Sequence, residues 1–185
     1  MRAAIDHAAH IPEALMGERI YIEVQLEGGL HPVNMFNAIG VGDDEVSVVQ
    51  SRVVAQRERW TLAVVPSRLE TLSRIEVLEY VNVPAPMDKI KVGSVDCEGE
   101  ITWEAVLHPM RQDNGEMIAV GDQTVDKWFR LVREAQGTGY PEYVRRTGGM
   151  TFAPISLSPL NILQVARFNP LRIVQPAPHV SLRGD

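Results

Sequence analysis

A strand, a helix, a second strand and a Pro-Ala-Pro stop follow one another twice in this sequence, and that ordered repetition limits what the chain can fold into. The later copy runs from Gly148 to Pro178. Met150, Phe152 and their β-branched neighbours suit a half-buried strand, and Leu160, Leu163 and Ala166 recur at the three-residue spacing that lines one helix face. Ser158 before Pro159 starts that helix, because the hydroxyl accepts an orphan backbone N–H and proline has none to leave unpaired. Asn169-Pro170 stops it. Leu171 to Gln175 then extends, and Pro176-Ala177-Pro178 ends the strand, since proline cannot donate to a ladder. The earlier copy begins at Trp60, with Leu62 and Val64 in a strand and Ser67 with Glu70 as a capping box. Leu69, Leu72 and Ile75 form its helix stripe, Val77 to Val83 its second strand and Pro84-Ala85-Pro86 its stop. Leu69 and Leu72 match Leu160 and Leu163. Two such units about ninety residues apart predict two similar domains.

The rest of the chain completes one order twice. Residues 1–18 form an alanine-rich leader, helical or disordered, that Pro12 interrupts. Ile20, Ile22, Val24 and Leu26 then alternate with Tyr21, Glu23, Gln25 and Glu27, the pattern of a strand with one covered face. Gly28-Gly29 turns it. Val33, Phe36 and Ile39 mark a short helix, and Glu45 to Ala55 and Arg59 to Val65 are the next strands. The second half opens with the strand Ile101 to Leu107 and a polar loop over Arg111 to Glu116. A longer helix follows, capped at Asp122 or Thr124, striped by Val125, Trp128, Phe129 and Val132 and closed by Gly137. Tyr140 to Arg146 and Met150 to Ile155 make a hairpin around Thr147-Gly148-Gly149. The expected class is α+β: two tandem ferredoxin-like (βαββαβ) domains with antiparallel sheets, over residues 19–86 and 88–178. The boundary falls in the proline-rich Val83 to Lys91, and residues 179–185 form an extended tail.

Several function classes fall away on composition. No apolar run is long enough for a transmembrane helix, and Arg2, Asp6, His7 and His10 interrupt any signal-like core at the N-terminus, so no membrane partner is expected. The single cysteine, Cys97, excludes an internal disulfide, reads as a small half-buried thiol and fits a reducing, cytoplasmic setting. His7 and His10 lack further ligands at metal spacing. His31 and His108 each precede a proline at a strand end, a shared turn rather than a base beside a nucleophile. Gly40-Val41-Gly42 and Gly137-Thr138-Gly139 lack the full phosphate-cradling pattern. There is no G-x-S-x-G elbow, although a Ser-His-Asp constellation is built by geometry and spacing alone leaves it open. No catalytic residue, cofactor or metal is therefore expected. Nucleic acid is disfavoured too, because the chain carries 18 basic against 24 acidic residues and its densest basic stretches, Arg52 to Arg59 and Arg130 to Arg146, are interleaved with glutamates.

The first unit ends in Val77-Leu78-Glu79-Tyr80-Val81-Asn82-Val83-Pro84, which resembles the end of the propeptide domain of subtilisin-like serine peptidases. The second carries Arg146-Thr147-Gly148-Gly149-Met150-Thr151-Phe152-Ala153-Pro154, then Ala166-Arg167-Phe168-Asn169-Pro170-Leu171-Arg172-Ile173-Val174-Gln175-Pro176-Ala177-Pro178 and Leu182-Arg183. That stretch is similar to the segment just ahead of the catalytic domain in large bacterial subtilases, some encoded beside an AAA-type ATPase. Leu30-His31-Pro32 resembles a motif in their first strand-helix turn. The subtilase active-site motifs Asp-Thr-Gly or Asp-Ser-Gly, His-Gly-Thr and Gly-Thr-Ser are all absent, so the resemblance implies a non-catalytic region: an N-terminal domain, a cleaved propeptide or a stand-alone relative. Such domains assist folding of the peptidase and occupy its active site, the sheet packing on the enzyme and the tail lying in the substrate cleft by strand addition. The implied partners are a subtilisin-like peptidase domain and, with it, an AAA-type ATPase. The implied contacts are Gln175, Pro176, Pro178, Val180, Leu182 and Asp185, in a tail that its prolines hold extended. Two other functions share the architecture. One is an ACT-like small-ligand regulator, which Gly28-Gly29 after the first strand fits, and the other a CRISPR-type RNA-processing endonuclease, which the charge pattern opposes.

Overall fold

The alternation in β1 (Ile20–Leu26) organises the first half, where a computed structural model of the chain describes residues 2–42, 44–91, 99–112 and 114–177. β1 lies inside a four-stranded antiparallel sheet ordered β2-β3-β1-β4, with β2 at Val46–Val54, β3 at Arg57–Val64 and β4 at Leu78–Asn82. Ile20, Ile22, Val24 and Leu26 meet Leu62 and Val64 on the face covered by Phe36 of α2 (Pro32–Ala38) and by Leu69 and Leu72 of α3 (Leu69–Leu72). The leader is a docked helix. α1 (Arg2–Ala9) adds Ile5 and Ala8 to the same core. All seven residues of β1 are buried, so both faces of this strand are covered and the expectation of one polar face is corrected.

The second half builds its own sheet and core. β5 (Ile101–Leu107) is paired on one side with β10 (Met150–Leu157) and on the other with β11 (Leu171–Pro176). β8 (Thr138–Gly139) and β9 (Arg145–Thr147) pair with opposite ends of β10, and β6 (Met110–Arg111) and β7 (Met117–Ile118) form a separate small ladder. α4 (Asp122–Glu134) and α5 (Ile162–Ala166) bury Trp128, Phe129, Val132, Ile162, Val165 and Ala166 against Trp103, Ala105, Leu107 and Ile155. In each sheet the opening strand of the half is internal: β1 lies between β3 and β4, and β5 between β10 and β11. The architecture is mixed α/β with antiparallel sheets.

Several local expectations are corrected. Leu160 is 82% exposed and Leu163 46%, while Ile162, Val165 and Ala166 are buried. The cause is that Pro159–Asn161 winds as a tight 3-10 turn and α5 begins only at Ile162, which rotates the buried face by two residues. Ser158 does cap this turn, accepting from Leu160 N at 3.3 Å. Ser67, by contrast, sits inside the matching turn Pro66–Arg68, where no side chain caps, and Glu70 pairs with Arg74 four residues on at 3.1 Å. Gly121 precedes α4 as its cap; Thr124 is buried, its hydroxyl accepting from Glu18 N at 3.3 Å. The strand expected over Tyr140 to Arg146 is interrupted by the turn Pro141–Tyr143, because Pro141 has no N–H for the ladder. The hairpin turn itself forms as expected, with Gly148 at φ 55° and Gly149 at φ 77°.

Polar and apolar contacts join the first sheet to the second half, and Met117 of β7 packs on Tyr21, Val49 and Ala63. The Asn169 side-chain amide accepts from Tyr21 N at 2.7 Å and donates to Tyr21 O at 3.0 Å. The Tyr21 ring stacks on His108 at 4.8 Å, and its hydroxyl donates to His108 O at 3.4 Å and Pro109 O at 3.3 Å. Among the described residues, no helix is long and apolar enough to cross a membrane.

Candidate functional site

Two of the six residues expected to contact a peptidase lie in β11, the outer strand of the second sheet. Gln175 pairs with Glu104 and Pro176 with Trp103, both half-buried, and Ala177 N donates to Thr102 O at 2.9 Å. Pro178, Val180, Leu182 and Asp185 lie outside the described residues, as does Cys97. Pro176 is tolerated because it ends an edge strand, where a missing N–H leaves no ladder acceptor unmet. Among the described residues the outer side of β11 meets Ile90 and Lys91: Ile90 forms a parallel bridge to Val174, and Lys91 N donates to Val174 O at 2.9 Å. On the sheet face away from the core, Gln175, Glu104 and Pro154 form a row, with Thr102 and Ser156 beside it; these residues are half-buried or exposed. Arg145 reaches Glu104 at 3.4 Å.

A cleft of about 470 Å³ opens where the two sheets face each other without closing. One wall is apolar. Phe152, Val106 and Ile173 lie side by side across β10, β5 and β11 in register. The opposite wall is polar: Glu23, Thr61 and Gln50 lie side by side across β1, β3 and β2, and Arg52 binds Glu23 at 2.5 Å. The segment after β4 supplies the rim. Ile90 packs into the second core while its neighbours Lys89 and Lys91 line the cleft. From the other side comes Arg172, the unmatched residue of a β-bulge between Leu171 and Ile173, a device that re-aims a side chain off the regular pleat.

Burial sets the protonation of this site. Lys89 is only 3% exposed, and the loss of hydration lowers its amine to about 7, although Nζ donates to Phe168 O at 2.7 Å and to Asn169 O at 3.5 Å. His108 is pushed down to about 3, by burial first and then by the charges of Arg172 and Lys89, so its ring is neutral. Its Nδ1 has no partner among the described residues. The Arg52 guanidinium is held above its ordinary value chiefly by its hydrogen bond to Glu23. Tyr21 is likewise raised by burial and stays protonated.

The remaining sequence candidates are local devices. His31 accepts from Val33 N at 3.3 Å and caps α2, so its Pro-preceding position is a helix start; His108-Pro109 carries a buried ring at the cleft instead. Gly28 adopts φ 64° in the turn after β1. His10 hydrogen-bonds the Asp6 carbonyl at 2.6 Å, and the described residues hold no cluster of three or more metal-ligating groups. The cleft was missed in the sequence because its residues come from six separate strands and a linker. The one visible signal was the alternation Lys89-Ile90-Lys91 after the first Pro-Ala-Pro, which puts two cations on one side of a residue destined for the core. In comparisons with known proteins, no family model and no curated protein matches this chain.

Proposed function

We propose that this chain is a non-catalytic, propeptide-like region of a subtilisin-like serine peptidase, and that it binds the peptidase domain through the end of β11 and the residues that follow it. Each half is read as a ferredoxin-like domain, residues 19–86 and 88–178. What supports this is the shared internal placement of the opening strand, β1 between β3 and β4 in one sheet and β5 between β10 and β11 in the other. The observation that carries the functional reading is the exit of β11: an edge strand that ends in Pro176, leaves the sheet beside Thr102 and borders a half-exposed face bearing Gln175, Glu104 and Pro154. An extended segment that already belongs to a sheet edge can be continued into a partner's substrate cleft by strand pairing. Its prolines reduce the chain entropy lost on docking. An AAA-type ATPase is a second partner of this system.

The test is an inhibition titration of the matching peptidase with the full chain and with a version ending at Pro178. The full chain inhibits and the shortened one is at least tenfold weaker, a difference of about 1.4 kcal/mol. Equal potency would remove the tail from the account, and failure of both to bind would remove the peptidase.

A further inference from the structure

We infer that the cleft between the two sheets is a binding site for a small monocarboxylate with an apolar body. Arg172, Lys91 and Lys89 hold its head, and Phe152, Val106 and Ile173 carry its chain. Size is the first condition: about 470 Å³ falls within the roughly 300–1,000 Å³ of small-ligand pockets. Charge is the second. None of Lys89, Lys91 and Arg172 forms an ion pair among the described residues, in a chain whose net charge is −6. Of the two carboxylates that line the cleft, Glu23 is engaged by Arg52, which leaves Asp88.

Arg172 is the anchor of the head group. The bulge in β11 puts it on the cleft, and among the described residues its guanidinium donates only to the Met150 sulfur, at 3.0 Å, a weak acceptor. Most of its planar fork of donors is thus available to a carboxylate, which it matches in geometry. His108 is a second donor: it is 5% exposed, lines the cleft and has an unpaired Nδ1. Such a buried polar atom favours any ligand that supplies its missing partner. The apolar wall decides the rest of the ligand. Three side chains aligned across three strands bury nothing against inorganic phosphate, and Asp88 disfavours a dianion, whereas an aliphatic chain is drawn onto them by the hydrophobic effect. None of these residues is among the proposed peptidase contacts, and the site's occupancy does not depend on a peptidase.

Isothermal titration of the full chain at pH 7 and low ionic strength with hexanoate, with hexanamide and with inorganic phosphate tests the assignment. Hexanoate binds saturably, and the other two bind at least tenfold more weakly. Arg172→Met and Lys91→Gln each weaken hexanoate by about tenfold, the effect of losing one charge-assisted contact. Lys91 is exposed, so its variant folds normally and decides the matter should the Arg172 variant unfold. Absence of hexanoate binding, equal affinity for hexanamide, tighter binding of phosphate, or wild-type affinity in the folded Lys91→Gln variant would each overturn it.

Discussion

Asn169 stands where another strand residue would pair with β1. The pairing of β4 with β1 ends at Asn82 and Glu23, so Tyr21, two residues further along, needs another partner on that side, and one amide side chain supplies both an acceptor and a donor. Asn169 is 2% exposed. Asn169→Ala leaves two buried backbone groups unmet, and urea unfolding is expected to show a loss of about 2–4 kcal/mol; a loss below about 0.5 kcal/mol would mean that the bridge is replaceable. Lys89 gives a pH signature. An unfolded lysine keeps its proton to about pH 10, whereas the folded one releases it at about 7. Between those values the unfolded chain holds the extra proton, so stability rises with pH across that window. Melting temperatures from pH 6.5 to 9.5 should climb in the wild type and climb less steeply in Lys89→Met; parallel profiles would show that burial does not depress this amine. Neither role was legible in the sequence, because Asn169 reads there as a helix stop and Lys89 as a polar linker residue. Asn169 acquires its partner from the other half of the chain, and Lys89 donates to carbonyls about eighty residues away in sequence.

Among the elements, strands were legible where side chains alternate strictly, as in Ile20 to Leu26 and Ile101 to Leu107, because period-two alternation has few other readings. The short helices were found but their faces were not. Helical spacing of three or four fits both Leu160, Leu163 and Ala166 and the actual Ile162, Val165 and Ala166, and the 3-10 turn after Ser158 decides between them. Ile162→Ala should cost about 2–4 kcal/mol because it empties a core position. Leu160→Ala should change stability by less than about 0.5 kcal/mol because its side chain faces solvent. Denaturation midpoints of the two variants in the reverse order would restore the leucine stripe. The cleft was illegible for a similar reason: bulges at Arg172 and between Val48 and Gln50 shift side chains off the simple alternation from which a strand is read.

At the scale of the whole molecule, the two main antiparallel sheets differ in make-up, one of four strands and one of five, and the repeated unit gave no hint of how they meet. The polar row of Glu23, Thr61 and Gln50 opposes the apolar row of Phe152, Val106 and Ile173, and a dry union of the two would strip water from the polar row without giving it partners there. The halves instead meet where Tyr21 and Asn169 bond, where Tyr21 stacks on His108 and where Met117 packs on Tyr21, Val49 and Ala63, and they stay apart at the cleft. The proposal that the chain's partner is a peptidase domain is tested most directly by calorimetric titration of the chain into the matching subtilisin-like catalytic domain, its nucleophilic serine replaced by alanine so that nothing is cleaved. The account predicts saturable one-to-one binding that drops by at least tenfold, about 1.4 kcal/mol, when the chain is ended at Pro178. No heat of binding with the full chain, at concentrations where a micromolar complex would form, would contradict it.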